Sequence, residues 1–151
     1  MIAPPGSVEA CLEEARAFPK GESVAKAPSI LVVDDDPEMR ALLLEVLRDE
    51  GYDVVETRDG TEAVLALRAR TFDVILMDKN MPGPSGLDLL PGFRRICPNS
   101  QIIMMTAFGD VASYMEAAEK GAVEYLFKPF RMEEMKDAIA KALGRGVESQ
   151  K

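Results

Sequence analysis

The 151-residue chain contains no histidine. That absence excludes His-based catalytic triads, imidazole metal sites and a phosphohistidine carried by this chain. Cysteine is scarce: Cys11 and Cys97 form no ligand cluster, a pattern that fits a reducing cytoplasm better than a disulfide scaffold. No apolar run approaches the roughly 20 residues of a membrane span, and the N-terminus has no signal-peptide core. Basic residues are the minority, 18 against 26 acidic for a net charge of −8. Such a surface repels phosphate backbones, so direct nucleic-acid binding is not expected. Repeats and low-complexity tracts are missing too. These absences describe a soluble protein, expected in the cytoplasm, with material for one core and not for two.

What is present is organised around residues 72–86, FDVILMDKNMPGPSG. Phe72, Val74, Ile75, Leu76 and Met77 form an apolar run too short for a helix and rich in strand formers, the pattern of a fully buried parallel strand. The run ends at Asp78 and then at a Pro/Gly segment in which nothing regular continues. A carboxylate at the C-terminal end of such a strand stands where open α/β sheets place their ligand sites.

On either side the chain alternates strand and helix. Residues 30–33 read as a buried strand ending in Asp34-Asp35-Asp36. A helix over 37–50 follows, with Asp36 as N-cap, Pro37 at its first position and Gly51 as its stop. Residues 52–56 are the second strand, and Asp59 to Glu62 resembles a capping box opening a helix to about residue 70. After the central strand comes a helix over 85–96, in which Pro91 is expected to remove a hydrogen bond and kink the element. Residues 101–105 form the fourth strand, ending at Thr106, and 110–120 a helix closed by Gly121. Residues 123–127 form the fifth strand, ending at Lys128-Pro129, and 132–143 the last helix. Strands and helices in strict alternation predict an α/β fold, a parallel sheet covered on both faces by right-handed crossovers.

Residues 1–28 hold Pro4, Pro5, Gly6, Pro19, Gly21 and Pro28 and are expected to form a flexible arm. Within it, residues 8–18 have the spacing of a short amphipathic helix that is marginal alone. Residues 29–144 are assigned to the domain and 145–151 to a polar tail.

Polar residues now fall at corresponding places: Asp34 and Asp35 after strand one, Asp78 after strand three, Thr106 after strand four, Lys128 after strand five. In a parallel sheet these ends share one edge. Each alone has a bland explanation, as a helix cap, a strand-end hydroxyl or a surface lysine. Together they crowd three carboxylates that raise one another's pKa unless a cation sits among them. Oxygen-only ligands favour Mg²⁺. Asp78 is then a candidate nucleophile of the aspartyl-phosphate kind, with Thr106 as a hydroxyl donor and Lys128 as a point charge for phosphoryl oxygens.

The segments ILVVDDDPEMR, DVILMDKNMPGPSGLDLL, IIMMTAFGD and GAVEYLFKPF resemble the receiver domain of two-component response regulators, over about residues 30–143. The resemblance implies a flavodoxin-like (βα)5 three-layer sandwich with strand order 2-1-3-4-5. It implies Mg²⁺ as cofactor and Asp78 as phosphoacceptor. Asp35 is then a direct metal ligand, Asp34 one acting through water, and Asn80 a ligand through its backbone carbonyl. Thr106 matches the switch hydroxyl, Lys128 the lysine that pairs with the phosphoryl group, and Tyr125 the aromatic that turns inward on activation. Lys128-Pro129 matches a cis peptide. The implied partners are a sensor histidine kinase or phosphotransfer protein, and a downstream target or output domain met through the face of helix four, strand five and helix five. A homodimer is a further option. A receiver catalyses only its own phosphorylation and dephosphorylation. Tyr114 and Met115 make helix four bulkier than is common in the family, and Phe108 places an apolar residue beside the site.

Two other readings stay open. Haloacid-dehalogenase-type phosphohydrolases also combine an aspartate nucleophile, Mg²⁺, Thr and Lys, and Asp34-Asp35-Asp36 contains their Asp-x-Asp spacing. Pro37-Glu38-Met39 lacks the small polar or branched residue expected after that motif, and the length leaves no room for a cap domain. The other reading concerns context: MTAFGD and EYLFKPF look most like receivers attached to ATPase-type transcription activators, so a receiver fragment of a larger regulator stands beside a stand-alone protein.

Overall fold

The computed structural model describes residues 27–107 and 111–144. Residues 1–26 of the arm, residues 108–110 with Phe108 and the expected start of the helix over 110–120, and the tail over 145–151 lie outside the described residues. The described chain runs β1 (Ser29–Val33), α1 (Pro37–Asp49), β2 (Asp53–Thr57), α2 (Gly60–Ala69), β3 (Val74–Asp78), α3 (Gly86–Ile96), β4 (Gln101–Ala107), α4 (Val111–Glu119), β5 (Glu124–Lys128) and α5 (Met132–Ala142). The strands pair in parallel in the order β2-β1-β3-β4-β5. The chain leaves β1 towards β2 on one side and reaches β3 on the other, so a crevice opens beyond the C-terminal ends of β1 and β3.

Burial follows from this order. β1 and β3, inside the sheet, are buried at every residue. The side chains of alternate residues feed two cores. One lies under α2, α3 and α4 and holds Leu31, Val33, Ile75, Met77, Leu90 and Phe93. The other lies under α1 and α5 and holds Ile30, Val32, Leu43, Leu47, Leu76 and Ile139. At about 1.5–3 kcal/mol for each large apolar side chain removed from water, these two layers dominate the stability and fix the sheet as a rigid floor.

Helix starts are set by local chemistry. Asp36 caps α1 by accepting from Glu38 N–H, with Pro37 at the first position, as the sequence predicts. Ser85 and Asp88 form a reciprocal capping box on α3. At α2 the Asp59 cap accepts from Glu62 N–H, but Glu62 Oε1 accepts from Arg58 N–H, not from the cap residue. The second strand begins at Asp53, one residue later than the pattern suggests. Tyr52 N–H donates to Leu47 O and so belongs to the turn that closes α1.

Candidate functional site

β1 delivers Asp34 to the crevice fully buried. Its N–H donates to Thr57 O at 3.1 Å, and its Oδ1 accepts from Asp36 N–H at 2.9 Å. Asp35, between them, is exposed. Asp78 closes β3, 4% exposed, in register with Met105. Its Oδ1 accepts from Asn80 N–H at 3.2 Å, and Lys79 N–H carries the ladder one residue further by donating to Met105 O at 2.8 Å. Lys128 ends β5 opposite Ala107 and reaches across β4. Its ammonium stands 3.3 Å from Asp78 Oδ2 and 3.7 Å from Asp34 Oδ2. Thr106 is fully buried on β4, one residue beyond the partner of Asp78. The Lys128-Pro129 bond is cis. Asp34, Asp35, Asp78, Thr106 and Lys128 thus stand at one sheet edge.

Tyr125 lies further down β5, in register with Met104, and is half-buried with its hydroxyl oxygen buried. The Tyr114 ring meets it edge-on with centroids 5.0 Å apart, Phe127 stacks on it at 5.5 Å, and Tyr114 and Phe127 also touch at 6.4 Å. The bulk of Tyr114 in α4 is therefore accommodated by contact with β5.

The electrostatics of the pocket are unbalanced. One oxygen each from Asp34, Asp35 and Asp78 lies within 4.8 Å of the others. Burial, first of all, pushes the Asp34 carboxyl up from 3.8 to about 6; the charges of Asp78 and Asp35 add to the rise, while Asp36 N–H and Lys128 oppose it. Asp34 Oδ2 is buried yet accepts no hydrogen bond among the described residues. An oxygen-only set with an unsatisfied buried carboxylate oxygen fits a hard divalent cation, and Mg²⁺ suits it because it retains water and shares its ligands with phosphate.

The family model for the response regulator receiver domain matches residues 30–140. The chain belongs to the response regulator receiver family. Receivers are signalling domains that bind Mg²⁺ at an acidic pocket, and membership decides against the phosphohydrolase alternative. Among curated relatives, sporulation initiation phosphotransferase F of Bacillus subtilis (strain 168) is 36% identical over 114 residues, covering 76% of this chain and 92% of its own. The transcriptional regulatory protein ZraR of Salmonella typhimurium is 35% identical over 120 residues, 80% of this chain but 27% of that protein. This receiver therefore spans nearly all of the first relative and about a quarter of the second. The chemotaxis response regulator CheY4 of Vibrio cholerae superposes with a TM-score of 0.73 at 29% identity, over 78% of this chain and 99% of that one. Among the described residues no helix is long and apolar enough to cross a membrane.

Residues that sequence reasoning passed over complete the receiver pocket. Gly86 N–H donates to Lys79 O at 2.8 Å, and a Cβ built on Gly86 would stand 2.5 Å from Asp78 O. The glycine is required by that close approach of α3 to the strand end. Thr57 supports Asp34 from β2: its carbonyl holds Asp34 N–H, and its hydroxyl donates to Val32 O at 2.9 Å. Arg40 Nη1 donates to Asp34 O at 2.7 Å. All three depend on tertiary approach, which no local sequence pattern signals.

Proposed function

We propose that this receiver accepts a phosphoryl group on Asp78 from a sensor histidine kinase or phosphotransfer protein, and that the modified domain controls a partner or output through α4, β5 and α5. What carries the proposal is the Lys128 ammonium poised 3.3 Å from Asp78 Oδ2, beside three crowded carboxylates. Asp35 and the Asn80 carbonyl would hold Mg²⁺ together with Asp78, and Asp34 would act through water. Bound Mg²⁺ supplies neutralisation of the charge on the transferring phosphoryl oxygens. Asp78 presents the nucleophilic oxygen, Lys128 pairs with a phosphoryl oxygen, and Thr106 donates its hydroxyl to another. The domain acts on no external substrate and catalyses only its own phosphorylation and dephosphorylation.

In this reading the domain spans residues 29–144, with the arm over 1–28 and the tail over 145–151 outside it. It works in the cytoplasm, meets proteins rather than nucleic acid or membrane, and has a homodimer as one possible active form. The lengths of the relatives support two contexts, a stand-alone relay protein or the receiver part of a transcription activator.

Acetyl phosphate with Mg²⁺ tests the assignment. Wild-type protein should gain one phosphoryl group by intact mass, and Asp78→Asn should gain none while keeping its circular dichroism spectrum. Full labelling of that variant would move the acceptor to another residue.

A further inference from the structure

Asp35 poses a positioning problem. Its side chain is exposed and makes no hydrogen bond or ion pair among the described residues, so nothing on the side chain itself fixes it. Its place in the pocket depends on the peptide that joins it to Asp34. That peptide lies beyond the β1–β2 ladder, which ends at Val33 and Thr57. The carbonyl of Asp34 therefore has no strand neighbour to hold it.

Arg40 takes that place. It is the fourth residue of α1, and its side chain is 18% exposed. One arm of the guanidinium, Nη1, donates to Asp34 O at 2.7 Å. The Nε side donates to Glu56 Oε1 at 3.1 Å, on β2 immediately before the Thr57 that holds Asp34 N–H. The planar fork thus ties the end of β1, the first turn of α1 and the end of β2, and it fixes the orientation of the Asp34–Asp35 peptide. An unpaired guanidinium here would repel a divalent cation in the pocket. Glu56 neutralises it, so the pair contributes geometry without net charge.

We infer that Arg40, held and neutralised by Glu56, is a positioning residue for the metal site: it sets the Asp34–Asp35 peptide so that the Asp35 carboxylate meets the cation. The inference rests on the Mg²⁺-dependent reading above. Loss of an outer partner of a metal ligand typically costs about 10–100-fold in metal affinity or activity.

The test is Mg²⁺ titration of the unphosphorylated protein, followed through the amide resonances of residues 34–36 and 79–80. Arg40→Ala should raise the dissociation constant about tenfold, the lower end for lost outer partners of metal ligands. Labelling by acetyl phosphate should be slow at low Mg²⁺ and recover as Mg²⁺ approaches saturation. Arg40→Lys should recover part of the affinity, because an ammonium keeps the charge but lacks the planar fork that fits both acceptors. Glu56→Gln, which keeps the Asp34 contact but frees the charge, should raise the constant by a smaller factor, and it decides the matter should Arg40→Ala not fold. A wild-type dissociation constant in Arg40→Ala, or in Glu56→Gln where the former is unfolded, would overturn the inference. So would labelling that stays slow at saturating Mg²⁺. Asp35→Asn is measured in parallel. If it leaves Mg²⁺ affinity unchanged, the metal-site reading itself fails; if it weakens affinity while Arg40→Ala does not, only the role of Arg40 fails.

Discussion

A single buried carboxylate sets the pH behaviour of the pocket. Asp34 titrates near 3.8 when exposed and at about 6 in the fold, raised chiefly by burial. Between those values the folded state holds the proton more tightly than the unfolded chain. The contribution of Asp34 to stability is therefore most favourable below about pH 4, and it is lost as pH rises through the window to about 6. Asp34→Asn keeps the acceptor for Asp36 N–H and removes the charge, so at pH 7 without metal it should stabilise the protein by up to about 3 kcal/mol. Urea denaturation in EDTA at pH 7 and again at pH 4 checks this, since the gain should fade at the lower pH. Gly86 carries the opposite expectation: Gly86→Ala drives a methyl into Asp78 O and should cost about 2 kcal/mol in the same assay. The contrast shows what a sequence makes legible. Asp34, Asp35, Asp78, Thr106 and Lys128 declare themselves because each follows a strand and parallel strands bring such ends together. Gly86, Thr57 and Arg40 do not, because their roles arise from approaches between segments that no local pattern encodes.

At the scale of the element, α3 is the informative case. Pro91 sits inside it and can offer no N–H to Leu87 O. The helix nonetheless runs as one element from Gly86 to Ile96. The released carbonyl lies 3.5 Å from Lys120 Nζ, at the C-terminal end of α4, and the same ammonium pairs with Glu116 at 2.7 Å. A charge on the neighbouring helix thus stands in for the missing backbone donor and links α3 to α4. Proline in a helix predicts the lost bond; which side chain replaces it depends on packing, and so was not legible. Lys120→Met should destabilise the wild type measurably and Pro91→Ala much less, because alanine restores the backbone donor. The Glu116 pair is common to both backgrounds and cancels in a double-mutant cycle, where a coupling of roughly 0.5–1 kcal/mol is expected. Additive effects would show that Lys120 does nothing for Leu87 O.

For the molecule as a whole, the two cores hold the sheet fixed, so in the proposed function a change at Asp78 would leave through parts that can repack. Alternation and parallel pairing were readable from pattern, but the strand order was supplied by the family resemblance, since periodicity does not say which strands are neighbours. Along β4 and β5 contacts run from Thr106, opposite Phe127, to the Tyr125 and Tyr114 rings on β5 and α4. Tyr114 is 46% exposed and Met115 59%, so this face pairs a packed aromatic cluster with an open surface. Beryllofluoride with Mg²⁺, as a phosphoryl mimic, can shift such a face only by binding one packing better than the other. It should move the Tyr125 resonances towards a more enclosed environment and strengthen self-association or partner binding. If the mimic draws Tyr125 further inward, the edge-on contact with Tyr114 tightens there relative to the packing seen here, where the centroids are 5.0 Å apart. An edge-on aromatic pair is worth about 0.5–1.5 kcal/mol beyond its burial. By reciprocity, removing it should weaken a ligand that selects the tighter packing by up to that free energy, according to how much stronger the contact is there. Tyr114→Ala is therefore expected to bind beryllofluoride less tightly, by up to about tenfold, read from the Asn80 amide, with Mg²⁺ affinity in the absence of the mimic little changed. Equal affinity in the variant and the wild type would mean that the contact persists in both packings and that the aromatic cluster is a strut rather than part of the switch.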